Sequence, residues 1–505
     1  MELNLNKQPV AACELLFDSA AEQPIECDVL LPDYCPDIVR VLNCRVDTVI
    51  TDCMINKTAL TVEGSATVEI CYAAEVGGIR KAAYKLPFSR SFELKRQPNK
   101  PMWTVNSHQG HVNCRAASKR RLEVRAAVVI SAKVYDMAGQ QVITGAEGCG
   151  VVLCQSEKPA VLLNNQILRR ITMVEALLPP AGKEPAAEIV AISCTPMVSE
   201  ARIMASRILL KGELTVHLLY KTDPDEGSLQ TADYNLPISQ IIDEQGLEDN
   251  IRCEALLQTI SADCTIDDID DGAIRLEVQL MADIKLFSPI TLYAAADSFS
   301  TLYPTESDAA TVKVLKKLNS VCERKTIRES LPLPDAMTSL LDIRADILEQ
   351  ATEIADEKAV INCKIKFSGL ISTEDMAADT FSHICTAQID VPINDVQSEL
   401  LLTPVAVKSA GKMGTEQLEL ECELMICGSI MEWEKQSYLT ELSVDESSPK
   451  TADPSIGLIV YYADKGESVW KIAKTFAVLP ERIMADNDLK ADVIETPMPI
   501  VIPTV

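Results

Sequence analysis

The chain repeats itself, and this restricts its fold more than any single motif does. Arg121-Leu122-Glu123-Val124 recurs as Arg275-Leu276-Glu277-Val278 and again as Gln417-Leu418-Glu419-Leu420. Each copy opens a segment whose alternate residues are apolar. Leu122, Val124, Ala126, Val128, Ile130, Ala132 and Val134 share one face in the first, and Leu276, Val278, Leu280, Ala282, Ile284 and Leu286 in the second. The third has Leu418, Leu420, Cys422, Leu424, Ile426 and Ile430. A period of two held over about a dozen residues marks a strand with one buried face. Three further landmarks keep the same order upstream. Leu86-Pro87-Phe88 answers Leu236-Pro237-Ile238 and Val391-Pro392-Ile393. Val62-Glu63-Gly64 answers Leu210-Lys211-Gly212 and, in degenerate form, Ile361-Asn362-Cys363, while Leu31-Pro32 answers Leu178-Pro179 and Leu333-Pro334.

The copies lie roughly 150 residues apart, the length of one domain, and predict three homologous units over 1–150, 151–308 and 309–443. Inside a unit, short apolar segments such as 59–64 and 208–212 are divided by turn residues, which predicts a mainly β protein of tandem antiparallel sandwiches. Helical period is scarce: Pro36 is placed to open a turn running to Leu42, and 397–402 is too short to assign. A Ser, Asp and Pro rich stretch over 444–456 reads as a linker.

Charge narrows the partners. Among 505 residues, 74 Asp and Glu stand against 47 Lys and Arg, a net charge of -27, whose field repels phosphate backbones and anionic lipid. Nucleic acid is therefore not an expected partner. Residues 1–7 lack the basic and apolar regions of a secretory signal, and no run of apolar residues is long enough to span a bilayer. A cytoplasmic location without membrane insertion is expected. The 17 Cys are odd in number, scattered, and often flanked by apolar residues, as in Ile70-Cys71-Tyr72 and Ile426-Cys427-Gly428. They are expected to be reduced and mostly buried.

After the linker the period changes. Leu458 to Tyr462 reads as a strand, and Gly466-Glu467-Ser468 as a turn whose hydroxyl can cap a helix. Val469, Ile472, Ala473 and Phe476 then follow helical spacing. Pro480 opens a second short helix carrying Ile483, followed by Asn487-Asp488-Leu489 and a closing strand Ile500-Val501-Ile502-Pro503. This small βααβ unit, 457–505, resembles the LysM domain, with Tyr462, Gly466, Ser468, Val469, Ile472, Ala473, Asn487, Leu489, Ile500, Ile502 and Pro503 on its pattern. The resemblance implies a shallow groove for N-acetylglucosamine polymers between the turn and the loop after the second helix. Glu467 and Ser468 stand where the family has Asp and Thr, and Pro497-Met498 where it has Gly-Gln. Trp470 lies about 100° round the helix from the apolar stripe, where it either covers the module's own core or anchors a partner. Gly466, Glu467, Ser468, Trp470, Lys471, Asn487 and Leu489 are the candidate partner- or glycan-binding residues.

The repeats also resemble a family, through Cys27-Asp28-Val29-Leu30-Leu31-Pro32-Asp33-Tyr34-Cys35-Pro36-Asp37-Ile38, which is similar to the opening of the SPOCS domain of spore-coat morphogenetic proteins. SPOCS-type repeats followed by one LysM domain is the layout of the SipL and SpoVID type. It implies an adaptor on the mother-cell side of the forespore surface, whose partner is the ATPase of the coat's basement layer. A peptidoglycan-binding wall protein is the alternative.

No constellation points to catalysis or a cofactor. His108, His111 and Cys114 have ligand-like spacing but lack a fourth ligand nearby. The acidic run Asp267-Asp268-Ile269-Asp270-Asp271-Gly272 has Gln279 where a calcium loop needs a bidentate Glu, and reads as a hairpin turn. Only His108, His111, His217 and His383 are available as imidazole bases, His217 on a strand face, and no nucleophile elbow or phosphate loop occurs. A non-enzymatic scaffold is the expectation.

Overall fold

The computed structural model describes residues 3–11, 13–75, 78–137, 139–179, 182–223, 228–266, 273–355, 358–374, 378–393, 398–451 and 458–503. The acidic run 267–272 and linker residues 452–457 lie outside them.

The alternating segments become strands because one face of each can be buried and the other left wet. Leu122, Val124, Val128, Ile130 and Val134 are at most 1% exposed, and each such side chain contributes roughly 1.5–3 kcal/mol of transfer free energy. The same strand order then occurs three times. In the first unit, Glu14–Leu30, Arg121–Asp136 and Pro101–Ser118 form one antiparallel sheet, and Ile38–Asn56, Ala59–Ala74 and Ile79–Glu93 the other. In the second the sheets are Val151–Leu177, Ile274–Ser300, Arg252–Ile266 and Glu188–Met204, Arg207–Lys221, Leu229–Asp243. These two touch in register at Arg202 and Arg252. In the third they are Thr305–Pro332, Gln417–Val444, Glu399–Met413 and Met337–Ala355, Lys358–Thr373, Asp379–Pro392. Thus the sixth strand, holding the motif that first revealed the repeat, is the centre of its sheet in every unit. Each pair of sheets encloses its own apolar core.

Register corrects three readings. The segment 36–42 forms no helical turn; Ile38–Asn56 is a strand, to which β-branched Ile38, Val39 and Val41 are suited. Of 397–402, the part from Glu399 is likewise strand. The third Pro landmark is out of step. Pro87 pairs with Ser65 and Pro237 with Glu213, both inside the fourth strand, whereas Pro392 ends its strand opposite Lys358. The residue in register with Pro87 and Pro237 is Thr386, opposite Lys364.

The Gly landmark holds in two units and has a steric cause. A Cβ on Gly64 would come 2.6 Å from the Val49 carbonyl oxygen, and one on Gly212 1.9 Å from that of Met197, where a bulge in the second strand pushes the backbone inward. Opposite them lie Phe88 and Ile238. In the third unit Cys363 faces Ala387, so a larger side chain on one strand meets a smaller one on the other.

The units interlock. In the second and third units the first and sixth strands run on past the sandwiches as two-stranded ribbons, 151–163 with 287–300 and 305–317 with 432–444. In the first unit two separate strands, Asn4–Ala11 and Gly139–Glu147, pair as the matching ribbon. The three ribbons bury Val10, Val142, Leu292, Ala294, Val312 and Tyr438 between them. Met102, Tyr135, Leu163, Phe287, Leu315 and Trp433 join all three units where ribbons meet sandwiches. The seams carry polar clasps. Gln166 bonds both the N–H and the carbonyl of Trp103, Arg252 bonds the Leu318 carbonyl at 3.1 Å, and Tyr135 donates to Glu399. First to second, second to third and third to first, the contacts close a ring.

Candidate functional site

The C-terminal module is a two-stranded sheet, Ile459–Ala463 with Met498–Ile502, covered by α1 (Val469–Phe476) and α2 (Pro480–Asp486). Val469, Ile472, Ala473, Ile483, Ile494, Ile500 and Ile502 form its core. Gly466 takes φ +88° in the turn before α1, and Ser468 Oγ caps that helix by accepting the Lys471 N–H at 3.2 Å. The turn lies against the segment before the last strand: Gly466 N–H bonds the Ile494 carbonyl at 2.8 Å, and Ile494 N–H the Glu467 carbonyl at 2.9 Å.

The polar candidates here are bonded inside the module. Glu467 accepts from Tyr461 Oη at 2.7 Å and from the Asp464 N–H at 3.3 Å. Asn487 spans α2 and the last strand, giving Nδ2 to the carbonyls of Ile483 and Val501 and accepting the Val501 N–H at 2.7 Å. Leu489 is half-buried against the module core. Lys471 is exposed, and so is the outer face of the sheet, where Tyr462 is 79% and Val460 45% exposed.

Trp470 is engaged by the rest of the chain. Its Nε1 donates to Asp297 Oδ2 at 2.8 Å, and its ring meets Phe299 edge-on at 5.0 Å. Lys474, one helical turn on, bonds the other Asp297 oxygen at 2.5 Å. Burial would raise the Asp297 pKa, but the bonds from Lys474 and Trp470 outweigh it and hold the carboxyl below its usual range. Asp297 and Phe299 belong to the far end of the second unit's ribbon, so the module caps that end. On the same end, Lys450 donates its N–H to the Leu302 carbonyl and its Nζ to that of Ser300, both at 2.8 Å. Asp297 and Phe299 carry no sequence signal for this role, since they lie within a strand far upstream of the module.

Between the sandwiches lies a cavity of 820 Å³ bordered by all three units, with Arg45, Asp47 and His108 from the first, His217 and Asp233 from the second, and Arg344, Asp346 and Lys408 from the third. His217 is the link most specific to it. Nδ1 lies 2.6 Å from Asp233 within its own unit, and Nε2 2.8 Å from Asp342 of the third. Burial would lower its pKa, yet the two carboxylates overcome this and raise it to about 9, so the ring is an imidazolium bridging two units at neutral pH. The strand-face reading of His217 missed this role, because Asp342 reaches it only through the ring.

The remaining chemical candidates are dispersed. His108 borders the cavity, His111 is exposed on the same strand, and Cys114 bonds Cys44 within the first unit. Among the described residues no three His, Cys, Asp or Glu side chains are grouped as metal ligands would be. All 17 thiols are free, but only seven are buried; nine are half-buried and Cys322 is exposed. Cys on the outer side of a strand or at a seam between units keeps partial access, which corrects the expectation of mostly buried thiols. Among the described residues no helix is long and apolar enough to cross a membrane.

Comparison with protein families matches residues 37–114 and 185–270 to the SipL SPOCS domain and residues 461–503 to the LysM domain. The SPOCS segments cover the second to fifth strands of the first and second units. In the third unit the corresponding strands run from Met337 to Met413. No curated protein and no solved structure matches the chain.

Proposed function

For a protein of SPOCS repeats with a C-terminal LysM domain, as this chain is, we propose the role of a non-enzymatic adaptor in spore-envelope assembly. Its LysM module engages a protein partner, the ATPase of the coat's basement layer, and the adaptor works on the mother-cell side of the forespore. The two domain types point to sporulation and to a module of the peptidoglycan-binding kind. One observation favours a protein partner over a glycan: Glu467 and Asn487 already spend their hydrogen bonds inside the module. Sugar recognition needs polar groups free to meet hydroxyls. What the module leaves open is Lys471 and the apolar sheet face of Val460 and Tyr462, a surface of the kind that docks protein.

The division into 1–150, 151–308, 309–443, 444–456 and 457–505 belongs to this proposal, as does a partner-binding role for Gly466, Glu467, Ser468, Trp470, Lys471, Asn487 and Leu489. Trp470 enters a partner interface only if it leaves Asp297. Co-sedimentation of the full chain with the ATPase's filaments and, separately, with insoluble peptidoglycan tests the reading. Pelleting with the filaments alone is expected. Pelleting with peptidoglycan that N-acetylglucosamine oligomers compete away would replace the adaptor with the glycan-binding alternative.

A further inference from the structure

Cys322 and Cys427 face one another across adjacent antiparallel strands of the third unit. Among the described strands they are the only register pair in which both residues are Cys. Residues directly opposite in such a ladder have Cα atoms about 4.5–5.5 Å apart, inside the range a disulfide spans. The two thiols are within hydrogen-bonding reach of each other. Cys322 is exposed, and it borders a cleft of 340 Å³ with Asn319, Glu323 and Pro392, which gives a small reagent access. Its sulfur also lies 3.7 Å from the Val198 carbonyl oxygen of the second unit.

We propose that Cys322 and Cys427 form a dithiol modification site that a low-molecular-weight disulfide oxidises to a cross-strand bond. The Cys322 thiolate attacks one sulfur of the reagent RSSR, forming Cys322–S–SR and expelling RS⁻. The Cys427 thiolate then attacks the Cys322 sulfur, closing the protein disulfide and expelling the second RS⁻. The protein loses two electrons, RSSR gains them, and the two thiol protons leave on two RSH. The roles follow from position: Cys322 is the accessible thiol, while burial, with Cys322 alongside, pushes Cys427 up to about 12 and disfavours initiation there; Cys427 resolves because it lies directly opposite the Cys322 sulfur. The product ties the first strand of the third unit to its last and encloses the four strands between them. It does so at the seam with the second unit.

The test uses the full chain, fully reduced and then exposed to oxidised glutathione. Two of the 17 thiols should disappear, and trypsin should release peptide 318–324 linked to peptide 413–435, with fragmentation placing the bond on Cys427 and not on buried Cys422. The melting temperature should rise and fall back when reductant is added. Cys427→Ser should stop at a glutathione adduct on Cys322. Cys322→Ser, a change at an exposed position, should form neither adduct nor cross-link while keeping the fold. A wild-type chain that retains both thiols, stops at the adduct, or joins either Cys to a different partner would overturn the proposal.

Discussion

Trp470→Ala removes the indole N–H from Asp297 and the ring edge from Phe299. It should weaken docking of the C-terminal module on the ribbon by about 2 kcal/mol, the scale of an interface anchor, while leaving the module's own core, built on Val469, Ile472 and Ile483, folded. Faster proteolysis after Lys450 in the variant, with an unchanged melt of the released module, is the expected readout. A module that unfolds would show instead that Trp470 belongs to its core. At the other extreme of size, Gly212→Ala would place a methyl group 1.9 Å from a backbone oxygen. It should cost about 3 kcal/mol, an overpacking that the strand cannot relieve by changing rotamer. The denaturant midpoint should fall accordingly.

Among the elements, the strands holding His217 and Asp342 make a contact whose pH dependence has a defined sign. The folded-state pKa of His217 is raised from 6.5 to about 9, so the stability it contributes is fully present below 6.5 and lost as pH rises through about 9. Asp342 and Asp233 are both held below 3.8, so their contribution survives until the pH falls beneath that value. Arg344 and Lys408 lie beside Asp342 and Asp233 and support the carboxylates. Chemical denaturation should show stability falling between pH 6.5 and 9 by up to about 3 kcal/mol, and His217→Ala should flatten that slope. How much of this was legible depended on whether burial repeats along one strand. The sixth strands were, because Leu122 to Val134 and Leu276 to Leu286 keep one face buried without interruption. Their extensions were not, because register shifts at Leu286/Phe287 and Ala295/Asp297 reverse the alternation. The Pro392 landmark misled because a hydrophobic-Pro-hydrophobic triplet is tolerated both inside an edge strand and at its end. The module was legible throughout its own fold, since its helix caps and apolar stripe are local. Its seat on Asp297 was not, because that contact is made across the folded chain.

At the scale of the whole molecule, the ring of contacts predicts that the units are not independent beads. Residues 151–300 expressed alone would expose Val161, Leu163, Phe287 and Leu292, which the intact chain buries against its other units. That fragment should bind a hydrophobic dye and self-associate on size exclusion, whereas residues 1–450 should stay monodisperse. A soluble, monomeric, dye-negative fragment would mean that each sandwich suffices by itself. The ring also settles valency. Three identical subunits closed about an axis would bring three copies of any appended module and would repeat every axial side chain three times. Here one chain supplies all three positions, so His217 occurs once, with Glu69 and Ser368 at the matching places. The platform likewise carries a single LysM module on its end. Under the proposed adaptor role, this chain's LysM module gives a polymeric partner one attachment point, and the gain in avidity comes from repetition on the partner's side.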